Sequence, residues 1–307
     1  MRIVSLVPAG TEIACALGAG AELVAVTHDC DHPPAVRALP RITRSTIAPG
    51  SDSFAIDAQV RAAVQRGEST FHLDAAALAA ARPDVLLGQT LCDVCAVTVA
   101  QLPATLDPAP VVVPLDGHSL GGILTDIARV GEALGRGEAA TALVAELRAR
   151  IARVAALVEG ARRPTVVCLE WLAPLFNAGH WVPEQVSIAG GEDLLGRSGV
   201  PSIDVPWDDL VAADPEFLFV LPCGFDAERA VVEAAVVTGR PDWPDLRAVR
   251  AGNVYALDGN AYFSRPGPRV VDGIELLASL LHPGVVPAPA GTRSIRLSTP
   301  PVPSSVA

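Results

Sequence analysis

MRIVSLVPAGTEIACALGAGAELVAVTHDC (Met1–Cys30) and RPTVVCLEWLAPLFNAGHWVPEQVSIAGG (Arg163–Gly191) begin in the same way. Each opens on a β-branched run, passes through a polar or Gly/Pro turn, and continues into an apolar helical segment. That is how an α/β lobe starts, and this chain starts one twice. The expected fold is therefore α/β, with two Rossmann-like lobes and a ligand cleft between them, lined by the loops that follow the strands.

Working outward from Met1, the pattern predicts strands over 2–7, 23–26, 85–87 and 111–114. Helices are predicted over 11–18, 53–66 and 73–81, with Asp74 placed to cap the last of these. From 119 to about 159 an apolar-periodic, Arg/Glu-rich stretch broken at Gly135–Gly137 reads as a helix-turn-helix or one long bridging helix. Beyond it come strands near 165–169, 217–221 and 254–257 and helices near 183–190, 208–213, 227–236 and 269–281. The organisation expected is a first lobe over 1–117, a bridging helical segment over 118–160 and a second lobe over 161–284. The Pro/Ala/Ser/Thr stretch over 285–307 reads as a disordered tail.

Composition narrows the function. The 307 residues can bury a large core, and half of them are hydrophobic. A net charge of −11 leaves no basic surface to neutralise phosphates, so nucleic acid is not an expected partner. No uninterrupted apolar stretch is long enough to span a bilayer. All 23 basic residues are arginine, which fits a GC-rich, bacterial genome. Met1-Arg2 runs straight into the first strand with no signal-peptide pattern ahead of it, so the expected location is cytoplasmic, or periplasmic or extracellular if a leader has been trimmed.

Four of the six cysteines, three of the six histidines and two of the four tryptophans fall in the strand-end loops. His28, Cys30 and His32 together with Cys92-x-x-Cys95 form a candidate soft-metal or thiol-redox set, because thiolate and imidazole suit zinc, copper or iron. Cys223 is a further candidate from the second lobe, whereas Cys15 and Cys168 read as core residues. Trp171, Phe176, Trp181, Phe225, Tyr262 and Phe263 suit a flat apolar ligand. His180 sits in a turn that a core histidine rarely occupies and is a candidate axial ligand. Asn260 and Arg265 are candidates for bonding amides or carboxylates. Enzyme templates are missing: no GxxxxGK[ST], no GxSxG elbow and no GxGxxG after a strand, so no catalysis is expected.

Several phrases, in order along 2–282, resemble one known family: RIVSLVPAGTEIACALGAG, LAAARPDVLL, AGHWVPEQVSIAGGEDLLG, VPWDDLVAADPEFLFVLP and NAYFSRPGPRVVDGIELLA. They are similar to class III substrate-binding proteins of ABC importers, and among these to the cobalamin-binding members. The resemblance implies two lobes joined by a long helix and a corrinoid, haem or iron-siderophore held between them. By position, Phe176, Trp181 and Tyr262 or Phe263 correspond to the corrin-holding aromatics. Two departures stand out. The stretch 44–70 reads as an insertion. Of the two acidic positions seven residues before a Pro that dock such proteins to a permease, Asp208 is kept and the other is Ala76, so an ABC permease is a doubtful partner.

The resulting expectation is non-catalytic binding of a cobalamin-like corrinoid or related metal-chelate macrocycle. Its rivals are a zinc-type or thiol-redox protein built on the cysteine cluster, and an importer component that has lost its signal sequence.

Overall fold

The computed structural model describes residues 1–90, 102 and 106–297. In chain order the elements are β1 (Ile3–Ser5), α1 (Pro8–Ala16), β2 (Leu23–Ala25), β3 (Thr43–Ser45), α2 (Ser53–Gln65), β4 (Phe71–Leu73), α3 (Ala75–Ala81), β5 (Val85–Gln89), β6 (Val111–Leu115), α4 (Leu120–Ala133) and α5 (Gly137–Leu157). They continue with β7 (Thr165–Leu172), β8 (Leu175–Asn177), α6 (Val182–Ile188), β9 (Glu192–Asp193), α7 (Trp207–Ala213), β10 (Phe217–Val220), α8 (Ala227–Glu233) and α9 (Ala235–Thr238). The last are α10 (Arg247–Arg250), β11 (Val254–Leu257), α11 (Gly259–Tyr262), α12 (Val270–Leu281) and β12 (Ser294–Arg296). The chain forms two units. One holds Met1–Ser51, Ala55–Arg150 and Arg265–Pro268; the other holds Asp52–Phe54, Ile151–Ser264 and Arg269–Ala307.

The first unit is built on a parallel sheet of order β2-β1-β5-β6. Strands covered on both faces need apolar residues at consecutive positions, which is why Ile3, Val4, Leu86 and Leu87 are all fully buried. From β1 the chain moves to β2 on one side and later to β5 on the other. The carboxyl ends of β1 and β5 therefore flank a topological switch point, where open α/β sheets take their ligands. Helix α1 begins at Pro8, earlier than the sequence pattern predicts, because proline is well tolerated in a first helical turn. Gly10 lets that helix lie tight on the sheet: a Cβ there would sit 2.9 Å from the Leu87 Cβ.

The stretch 44–70, read from sequence as an insertion, carries structure of its own. β3 and β4 pair antiparallel, with α2 between them in the chain. Asp74 caps α3 as predicted, its carboxylate accepting from the Ala77 amide at 2.8 Å.

In the second unit the sheet order is β12-β11-β10-β7-β8, with β9 on β7. β7, β10 and β11 are parallel, whereas β8 returns antiparallel on β7 and β12 lies antiparallel on β11. Two of the four tryptophans, Trp207 and Trp243, are buried in its core with ring centroids 6.5 Å apart.

Packing and pairing assign the middle and the end of the chain. Helix α4 buries Leu120, Ile123, Ile127 and Val130 and packs on β6 and α1, so it belongs to the first unit, and the division falls within α5. The stretch after 284 is not wholly a tail, since Ser294–Arg296 pairs with β11 and the Arg296 guanidinium bonds the Tyr255 hydroxyl at 2.8 Å. An exposed sheet edge supplies backbone donors and acceptors that no apolar periodicity in the added strand announces.

Candidate functional site

The carboxyl ends of β7 and β10 carry the most developed site. Trp171 leaves the end of β7 partly exposed, cross-strand from Phe176 on β8. Its indole packs on Phe225, centroids 5.3 Å apart and tilted by 44°. Phe225 is covered in addition by the Arg229 guanidinium, 4.6 Å from its ring centroid, an attractive cation–π geometry. Arg229 stands in the first turn of α8, whose start is fixed by Asp226 accepting from the Arg229 amide at 2.7 Å. Its side chain then donates to Glu233 one turn on at 2.8 Å. The result is a half-exposed indole laid over a buried phenyl ring, with a cation beside it.

Close by, the turn 178–181 is held against the segment 199–203. The His180 amide donates to the Val200 carbonyl at 2.7 Å, and the Gly199 amide donates to the His180 carbonyl at 2.8 Å. His180 adopts a left-handed backbone (φ +47°), uncommon for a residue with a side chain and a mark of functional or tightly determined turns. Gly179 is required there, because a Cβ would come within 2.3 Å of the Ser202 nitrogen.

Beneath this turn, Glu170 accepts from the Gly179 amide at 2.9 Å and from the Ser202 side chain. Burial outweighs those bonds and raises its carboxyl to about 7, with the Asp193 charge adding to the rise. Burial likewise raises Asp193 to about 6, although the Gly196 and Leu195 amides donate to it. The sequence alone does not reveal Glu170 or Asp193, because nothing about an isolated carboxylate after an apolar strand announces its burial.

In the first unit, the ends of β1 and β2 form a small pocket lined by Leu6, Pro8, Thr27, His28, Thr43 and Phe71. The His28 ring is oriented by Nδ1 to the Thr43 hydroxyl at 2.7 Å and stands against Phe71 at 5.6 Å. Its Nε2 faces Asp29 at 3.4 Å.

Other sequence candidates fall elsewhere. Trp181 is 3% exposed and starts α6, and Phe263 is 2% exposed, so both are core residues as they stand. Tyr262 is buried with Arg269 over its ring, and Asn260 is partly exposed with its backbone N–H donating to the Phe225 carbonyl. Arg265 is tied into the first unit. It is 5% exposed and grouped with the first unit, donating to Glu12 at 3.0 Å, to Asp31 at 2.6 Å and to the Asp29 carbonyl at 3.0 Å. A buried guanidinium needs such partners, and a Ser-Arg-Pro sequence gives no hint of them.

Among the described residues no group of three His, Cys, Asp or Glu could hold an ion. The Cys30 thiol is buried between the Thr11 and Thr27 hydroxyls at 3.0 and 3.3 Å, and burial pushes its pKa up, away from a thiolate. His32 is exposed in its loop, as is Cys223 in its own. Cys168 is wholly buried in β7 as expected, its pKa raised well above the ordinary thiol range by burial. Cys92 and Cys95 lie outside the described residues. No described helix is long and apolar enough to cross a membrane.

Two α/β units with loop-borne aromatic and polar groups at their strand ends define a substrate-binding protein of the two-lobed periplasmic type. The family model described as periplasmic binding protein matches residues 3–261, and the chain belongs to that family. A vitamin B12-binding protein of Vibrio cholerae is 28% identical over 103 residues, 34% of this chain and 34% of its own length. A cobalamin-binding protein of Halobacterium salinarum is 28% identical over 173 residues, 53% of this chain and 45% of its own length. The chain thus spans less than half the length of these curated relatives.

Solved structures share the fold over far more of the chain. The periplasmic vitamin B12 binding protein of Vibrio cholerae superposes with a TM-score of 0.64 at 22% identity, covering 91% of this chain and 96% of that one. A periplasmic heme binding protein from Pseudomonas aeruginosa gives 0.68 at 23% identity, covering 97% and 99%. The expected cytoplasmic location draws no support from a family described as periplasmic.

Proposed function

We propose that this protein binds, without transforming it, a cobalamin-like corrinoid or a related metal-chelate macrocycle. The observation that carries the reading is the Trp171 surface: a half-exposed indole stacked on Phe225, with the Arg229 cation alongside. A flat macrocycle offers an apolar face to the indole and peripheral amide or carboxylate groups to the guanidinium. The cobalamin-related names of two curated relatives support a corrinoid over other flat ligands. Phe176, cross-strand from Trp171, extends the same surface, and Asn260 is tied beside it by its backbone N–H to the Phe225 carbonyl. The His180 imidazole stands beside Trp181, ring centroids 5.7 Å apart.

Handing the ligand to an ABC permease belongs to this reading at one point only. Asp208 is exposed in the first turn of α7, but the corresponding position of α3 is the uncharged Ala76, also exposed. Delivery in the usual manner therefore has one acidic contact where two are expected.

The test is calorimetric titration with hydroxocobalamin and, in parallel, with haemin. Saturable one-to-one binding of hydroxocobalamin, tighter than haemin, is expected. Haemin binding without cobalamin binding would move the assignment to porphyrins, and binding of neither would defeat it.

A further inference from the structure

We infer that Phe54 is a further ligand-contacting residue, held beside Trp171 as part of one aromatic surface. The inference rests on the macrocycle reading above. Of the seven phenylalanines, Phe54 alone is exposed, at 69%; the other six are buried or half-buried. Single exposed apolar side chains are common and mean little by themselves. What sets this one apart is the residue before it.

Ser53 is 1% exposed and tied down on every polar atom it has. Its amide and its hydroxyl both donate to Glu233, at 2.9 and 2.6 Å. Its carbonyl, the one joined to the Phe54 nitrogen, accepts from the Trp171 indole N–H at 3.2 Å. Glu233 is fixed in turn by Arg229, Arg229 lies over Phe225, and Phe225 packs on Trp171. Ser53, Glu233, Arg229, Phe225 and Trp171 thus form a closed ring of contacts, and Phe54 projects from it.

This circuit fixes the backbone of an exposed aromatic residue without burying its ring. Folding gains little from such an arrangement, since the ring stays in water and phenylalanine is no better than a polar residue in an exposed first helical turn. A ligand gains from it, because a backbone already ordered loses less freedom when the ring is covered. Segment Asp52–Phe54 groups with the second unit, although the rest of α2 groups with the first. Phe54 therefore adds to the Trp171 site an aromatic residue from outside the strand-end loops of the second unit.

Three proteins titrated with hydroxocobalamin test this: wild type, Phe54→Ala and Phe54→Trp. The alanine variant is expected to bind about tenfold more weakly or worse, the scale of losing one well-placed aromatic contact. Its thermal midpoint should equal that of wild type, because the ring is not packed. Phe54→Trp should keep the affinity and add an indole whose fluorescence the ligand quenches. Wild-type binding with unchanged affinity in Phe54→Ala, or an added indole that the ligand leaves unquenched, would overturn the inference while leaving the macrocycle reading intact. Absence of wild-type binding would overturn both.

Discussion

Arg265 shows how little of a residue's surroundings its type announces. An arginine between serine and proline in a strand-end loop reads as a ligand anchor. Its guanidinium bonds Glu12, Asp31 and the Asp29 carbonyl, buried to 5% exposure. Removing one member of a buried ion pair leaves the others uncompensated and typically costs about 3–5 kcal/mol. Arg265→Ala should therefore lower the unfolding free energy by about that amount in urea denaturation. Ligand affinity measured well below the new midpoint should stay near the wild-type value. A stable Arg265→Ala that has lost affinity would return the residue to the ligand site. Trp171 is the opposite case, a residue at a strand end whose ring stays partly in water.

At the scale of elements, the sequence was legible wherever one residue type controls local geometry. Asp74 caps α3, the Gly135–Gly137 break separates α4 from α5, and the apolar runs at 3–5, 85–87 and 217–220 are strands. What escaped it depends on pairing at a distance. β3 and β4 are short and, among the described residues, joined only to each other, β8 is a return strand after a turn, and β12 docks on an edge. The site divides in the same way. The aromatics at the ends of β7 and β10 could be listed from sequence, but which of them face solvent depends on packing that spacing does not encode. Trp181, Tyr262 and Phe263 are therefore buried where Trp171 is not. The 178–181 turn offers a test at this scale. Gly179→Ala would drive a methyl group into the 201–202 backbone, so it should cost about 1–3 kcal/mol of stability and displace His180. Thermal melts and ligand titration should show both losses, and a variant unchanged in both would mean the turn is looser than its hydrogen bonds indicate.

For the whole molecule, the two raised carboxyls set a pH dependence. Glu170 titrates near 7 and Asp193 near 6 in the folded protein, each above its ordinary value because burial disfavours the charge. The folded state thus binds protons more tightly than the unfolded chain. The stability these groups contribute is full below pH 4, persists in part to about pH 6, and is lost as pH rises through 6 to 7 and beyond. Glu170→Gln, neutral at every pH, should flatten the fall in melting temperature between pH 5.5 and 8. Each kcal/mol corresponds to about 2–4 °C in a chain of this size. Parallel profiles for wild type and Glu170→Gln would show that the carboxyl is more hydrated than its surroundings imply.

The central claim is that Trp171 forms the surface on which a corrinoid lies. Trp181, Trp207 and Trp243 are all buried, so ligand contact should be reported chiefly by Trp171. The decisive measurement is a fluorescence titration with hydroxocobalamin of wild type, Trp171→Phe and Trp171→Ala. The account predicts saturable quenching in wild type, near-normal affinity with most of the quenching gone in Trp171→Phe when binding is followed by calorimetry, and weakened binding in Trp171→Ala. Equal quenching and equal affinity in all three would contradict it.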